Sequence, residues 1–117
     1  MGDAVMRFEI GCKDRPAART FYQKSFGWMI EEGDLSGEIA TGDDSGIDGA
    51  LTALGHEPHQ YVMIYVTVED IADACESVAA NGGAVTIGPL DIPGGKGRFA
   101  WFDDPEGNTL GLFEPPK

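Results

Sequence analysis

The sequence predicts an α+β fold of two βαβββ modules whose curved mixed sheets enclose a cleft. Two observations predict it. Hydrophobic periodicity alternates between strand-like and helix-like stretches in the order β-α-β-β-β, and that order occurs twice. An offset of 56 residues also lays Asp14 on Asp70, Ala18 on Ala74 and Gly27 on Gly83. Near the end of each half, DDSG (43–46) parallels DPEG (104–107) at an offset of 61. Such matches fall at a helix cap, a helix stop and a final hairpin, where an internal repeat has physical meaning. Module 1 is assigned to residues 1–57 and module 2 to 58–117 of a single domain, long enough for one hydrophobic core.

Each element has its own justification. VMRFEI (5–10) alternates as a strand. Asp14 is an N-cap followed by Pro16 in the first turn, Ala18, Phe21, Tyr22 and Phe26 recur at helical spacing, and Gly27 stops the helix. WMIEE, EIAT and DGALTAL follow as short strands between Gly- and Asp-rich turns. YVMIYVTV (61–68) restarts the pattern. Its alternation predicts Val62, Ile64, Val66 and Val68 facing the helices, with Tyr61, Met63, Tyr65 and Thr67 opposite. In the first strand Phe8, Ile10 and Cys12 take the helix side; Arg7, Glu9 and Gly11 take the other. Asp70 caps a helix carrying Ile71, Ala74, Cys75, Val78 and Ala79, ended by Asn81-Gly82-Gly83. AVTIGPL, RFAWF and NTLGLF are the last three strands.

Composition excludes several classes. Eight Lys plus Arg against twenty carboxylates give a net charge of −12, which disfavours nucleic acid and anionic membrane as partners and favours cationic small molecules. No apolar run is long enough to span a bilayer, and the N-terminus lacks a secretory layout, so the expected location is cytoplasmic. Cys12 and Cys75 form no disulfide framework or zinc knuckle. Cys75 lies on an apolar helical stripe and reads as core.

The segments FEIGCKDRPAARTFYQKSFGW (8–28), YVMIYVTVEDIADACESVAANGG (61–83) and FAWFDDPEGNTLGLFEP (99–115) resemble the vicinal oxygen chelate superfamily of glyoxalase I, bleomycin-resistance proteins and extradiol dioxygenases. The resemblance covers nearly the whole chain and implies paired βαβββ modules, usually in a homodimer. It also resolves the acidic stretch FDDPEGN: Asp104-Pro105-Glu106-Gly107 reads as a hairpin turn. A calcium loop starting at Asp103 would put Pro105 and Gly107 where oxygen ligands belong.

The family's metal enzymes take one ligand from each of four strands. By position, those ligands fall here on Arg7, Met63, Gly111 and either Gly49 or Ala50. None is a competent donor for a divalent cation: a guanidinium repels metal, a thioether is too soft, and Gly and Ala have no side-chain donor. The expectation is therefore no metal and no cofactor. Asp48, His56 and His59 remain the residues from which a non-standard site would be built, although Gly55 and Pro58 make both histidines read as loop or rim residues.

The predicted cleft walls carry Arg7, Glu9, Tyr61, Met63, Tyr65, Trp101, Gly111 and Phe113. Gly111, opposite Trp101, is expected to leave space for a ligand. Arg7 and Glu9, two apart on one strand face, read as an ion pair or as a polar ligand's anchor. The reading is a metal-independent protein that binds a small aromatic or cationic molecule between its modules. Three alternatives stay open: an enzyme with Glu9 as general base, a metal-dependent glyoxalase-like enzyme with non-standard ligands, and a partner-binding module with a closed cleft. GGKGR (94–98) leads into a strand rather than a helix, so it reads as a hairpin lip rather than a phosphate loop.

Overall fold

A computed structural model describes residues 2–34, 36–42, 44–54 and 58–117. The first position of the DDSG motif and His56 lie outside the described residues. Two compact units are formed: Arg7–Met63, and Ile64–Lys117 together with the N-terminal residues up to Met6.

The element order is the one the periodicity predicts. The strand β1 (Val5–Gly11), helix α1 (Arg15–Phe26) and strands β2 (Met29–Glu32), β3 (Ser36–Ala40) and β4 (Asp48–Thr52) come first. Then β5 (Tyr61–Thr67), α2 (Ile71–Ala80), β6 (Ala84–Asp91), β7 (Arg98–Asp103) and β8 (Thr109–Glu114) repeat the order. The spatial order is β2-β3-β4-β1 in the first set and β6-β7-β8-β5 in the second. Both sets are therefore mixed in the same way. Their first and fourth strands pair in parallel and the remaining pairs are antiparallel.

The register decides an open alternative. Glu9 stands opposite Ala50 and Tyr65 opposite Gly111, so Ala50, not Gly49, is the counterpart of Gly111. A one-residue slip would turn every side chain of β4 to the other face, and Leu51 must stay in the core.

Local chemistry explains the helix ends. Asp14 accepts the Ala17 N–H at 3.0 Å, and Gly27, at φ 70°, returns its N–H to the Gln23 carbonyl at 2.9 Å. A left-handed residue there is inexpensive only for glycine. In α2, Asp70 accepts the Asp73 N–H at 3.1 Å. The buried carboxylate of Glu114 accepts the Ile71 N–H at 2.9 Å.

Each unit has its own core. In the first, Ile30, Ile39 and Leu51 pack with Phe8, Ile10, Ala18, Tyr22 and Trp28. In the second, Val68, Ile71, Ala100 and Leu112 pack with Val66, Ala74, Cys75, Val78 and Phe102. One expectation is corrected. Val62 and Ile64 are 75% and 39% exposed, so only Val66 and Val68 of their row join the core. The alternation along β5 holds, but a ten-residue helix covers only the end of the strand.

Candidate functional site

The helix-free face of the first unit is polar. Arg7, Glu9 and Gly11 of β1 lie opposite Asp48, Ala50 and Thr52 of β4. Arg7 Nη2 donates to both carboxylate oxygens of Glu38, at 2.8 and 3.0 Å, and the Ser36 hydroxyl donates to the same group at 3.2 Å. Glu9 is buried and accepts a hydrogen bond from the Tyr61 hydroxyl. Thr52 Oγ1 lies 2.8 Å from that hydroxyl. Burial, then the Glu9 carboxylate accepting its proton, push the Tyr61 phenol well above its ordinary pKa. A Cβ on Gly11 would collide with the Tyr61 ring, so this glycine is needed for a close approach. Arg7 and Glu9 thus each hold a partner from another strand.

The helix-free face of the second unit is aromatic. Register places Tyr65, Gly111 and Trp101 side by side across β5, β8 and β7, with Thr67, Phe113 and Phe99 in the next row. Ile87 and Leu90 of β6 extend the face beyond Trp101 and Phe99. The Trp101 indole N–H donates to the Tyr65 hydroxyl at 2.9 Å, which fixes both rings. The space expected at Gly111 is filled: a Cβ there would fall inside the Tyr65 ring. Tyr65 is buried, as is Met63 of the first unit.

The remaining singled-out residues have structural work. Asp48 accepts the Thr41 N–H at 3.1 Å and closes the turn between β3 and β4. His59 is half-buried in the loop before β5. Asp104 builds the last hairpin turn. Its side chain accepts the N–H groups of Glu106 and Asn108 and the Asn108 amide, each at 2.9 Å, while its carbonyl accepts the Gly107 N–H at 3.0 Å. Those bonds, the Asn108 side chain's first, hold its carboxyl below the usual range. GGKGR joins β6 to β7 as a hairpin loop, with Gly94, Gly95 and Gly97 all at positive φ. Burial raises the Cys12 thiol's pKa, and its sulfur lies 3.3 Å from the Thr52 carbonyl, an environment opposed to nucleophilic use.

The four positions at which the resemblance places metal ligands hold Arg7, Met63, Ala50 and Gly111, and the Tyr65 ring occupies the room a side chain at 111 would need. This donor set does not fit a divalent cation. Among the described residues, no three His, Cys, Asp or Glu side chains gather as a metal cluster. Sequence reasoning missed Glu114 as a helix cap. Its signal was the alternation Leu110-Leu112-Glu114, which puts a carboxylate in the row facing α2.

Comparison with known proteins places these features. The model of the Glyoxalase/Bleomycin resistance protein/Dioxygenase superfamily matches residues 4–112. A lactoylglutathione lyase of Haemophilus influenzae is 34% identical over 86 residues, 72% of this chain and 58% of that protein. A 28% identical Mycobacterium bovis protein matches over 86% of this chain but only 41% of its own length, so the chain spans about half the length of such relatives. The crystal structure of methylmalonyl-CoA epimerase from Mycobacterium tuberculosis superposes with a TM-score of 0.71 at 13% identity, covering 97% of this chain and 88% of that one. That likeness is one of fold. Among the described residues, no helix is long and apolar enough to cross a membrane.

Proposed function

Because the chain belongs to the Glyoxalase/Bleomycin resistance protein/Dioxygenase superfamily, yet carries no competent donor at the four ligand positions, we propose that it binds a small aromatic or cationic molecule without a metal. The observation that carries this reading is the aromatic face of Tyr65, Trp101, Phe113 and Phe99, bordered by Ile87 and Leu90. Rings already held by the Trp101–Tyr65 hydrogen bond lose little freedom on stacking a planar ligand. A polar face holding Glu9, Glu31, Glu38 and Asp48 against Arg7, on a chain of net charge −12, favours a positive ligand. Arg7, Glu9, Tyr61 and Met63 are the proposed ligand-facing residues of the first unit; Tyr65, Trp101 and Phe113 are those of the second, with Gly111 serving beneath the Tyr65 ring.

The test uses a Trp28→Phe background, which leaves Trp101 as the sole indole. Titration with an acridinium dye is expected to quench its fluorescence saturably, and Phe113→Ala is expected to weaken binding about tenfold. An unquenched indole across the titration, or a Phe113→Ala variant that binds equally well, would end the proposal.

The relatives favour one competing reading, catalysis, and Glu9 is its candidate base because a buried carboxylate stands there with a phenol already bonded to it. The lactoylglutathione lyase assay, run with and without added Zn or Ni, decides between them. Turnover abolished in Glu9→Gln would favour catalysis. No turnover under either condition favours binding.

A further inference from the structure

The helix-free face of the second unit carries more than its rings. Register adds a further row, Ala84, Asp103 and Thr109, beside the row of Ile87, Trp101 and Gly111. Among the described residues that register places on this face, Asp103 alone is charged. It stands two positions from Trp101 on β7, about 7 Å along the strand. The Thr109 hydroxyl donates to its Oδ1 at 2.7 Å, which fixes the carboxylate. Asp103 is half-buried, and among the described residues no Lys, Arg or His pairs with it. Beside an apolar face the effective dielectric is lower than in water, so the field of this carboxylate reaches the neighbouring rings. The Trp101 indole N–H is already given to the Tyr65 hydroxyl, so the indole offers a ligand its π system and no further donor.

We infer that Asp103 sets the charge selectivity of this face, and that the ligand is a planar aromatic cation whose positive nitrogen lies between the Trp101 indole and the Asp103 carboxylate. The inference rests on the ligand reading above and narrows it, from a molecule that is aromatic or cationic to one that is both. Two attractions act on the same charge. The indole draws a cation to its ring face through its quadrupole. The carboxylate adds a full opposite charge about one residue pair away along the strand. Ile87, Phe99 and Phe113 take the rest of the ligand's ring surface. A neutral aromatic gains the stacking alone. An anionic aromatic meets the repulsion of Asp103 and finds no indole donor. A cation without rings leaves the apolar part of the face uncovered.

Calorimetric titration with compounds of one ring system tests it: N-methylquinolinium, quinoline at a pH that keeps it neutral, and the anion quinaldate. The cation is expected to bind at least about tenfold tighter than quinoline, and the anion not to bind. Asp103→Asn, whose amide oxygen still accepts the Thr109 hydroxyl, should weaken the cation about fivefold and leave quinoline unchanged. Retained quinoline binding also shows that the variant is folded. Glu106→Gln removes the same unit of charge at the exposed hairpin turn and should leave both affinities unchanged. An Asp103→Asn variant that binds the cation as the wild type does, or that loses cation and quinoline equally, would overturn the inference. So would an equal loss of the cation in Glu106→Gln, which would assign the selectivity to net charge. In those cases the ligand reading survives if Phe113→Ala still weakens binding of the acridinium dye. If neither the dye nor any quinoline binds, the ligand reading and this inference fall together.

Discussion

At the scale of single residues, Tyr61 and Tyr65 show how one side-chain type takes opposite surroundings on one strand. Tyr61 gives its proton toward Glu9; Tyr65 accepts one from the Trp101 indole. The first arrangement has a pH signature. A phenol whose folded pKa lies above its unfolded value contributes stability that is complete below about pH 10 and lost as pH rises further, through the folded pKa. Ultraviolet titration should therefore show a late-ionising phenol phase, and Tyr61→Phe should reduce that phase by one phenol. Three phenols titrating together in the wild type would contradict the buried bond. Neither partner was legible in the sequence. Glu9 and Tyr61 lie 52 positions apart, and a pattern of alternation assigns a face without assigning the neighbour across it. The Arg7–Glu38 pair was hidden for the same reason, being 31 positions apart. With side chains 34% and 57% exposed, it contributes no more than about 1 kcal/mol.

At the scale of elements, what was local was readable. Asp14, Gly27 and Asp70 mark helix ends because caps act within a few residues of themselves. The Asp104 turn was readable on the same grounds. Glu114 was not, because it satisfies the N-terminus of α2 from 43 positions away. Removing it leaves the buried Ile71 N–H without its acceptor. Glu114→Ala is expected to cost about 1–3 kcal/mol in urea unfolding, whereas Glu114→Gln, which keeps an acceptor, should cost less. Equal losses in both variants would mean that charge rather than hydrogen bonding matters there. The exposed Val62 and Ile64 mark a second limit: periodicity tells which way a strand's side chains point, but not how far a helix reaches over them.

For the whole molecule, the repeat was the most legible property, since it rests on order and offset rather than on any one contact. The register of β4 was not: a slip between Gly49 and Ala50 leaves the composition of the strand unchanged and is fixed only by pairing with β1. Net charge is another whole-molecule property. Twenty carboxylates against eight cations repel one another in the folded chain, and salt screens that repulsion. Raising ionic strength from about 10 mM to about 150 mM is expected to raise Tm by roughly a few degrees, read by calorimetry. A Tm that falls would mean that specific ion pairs such as Arg7–Glu38 outweigh the general repulsion.

The Tyr65 ring over Gly111 also constrains the paths by which such a chain can change. A glutamate introduced at 111 alone would collide with the ring. Trimming Tyr65 alone would open a hole and strip the Trp101 indole of its acceptor. The two substitutions help only together, so a descendant that acquires a metal donor at this position must cross a valley in which either single step is a loss.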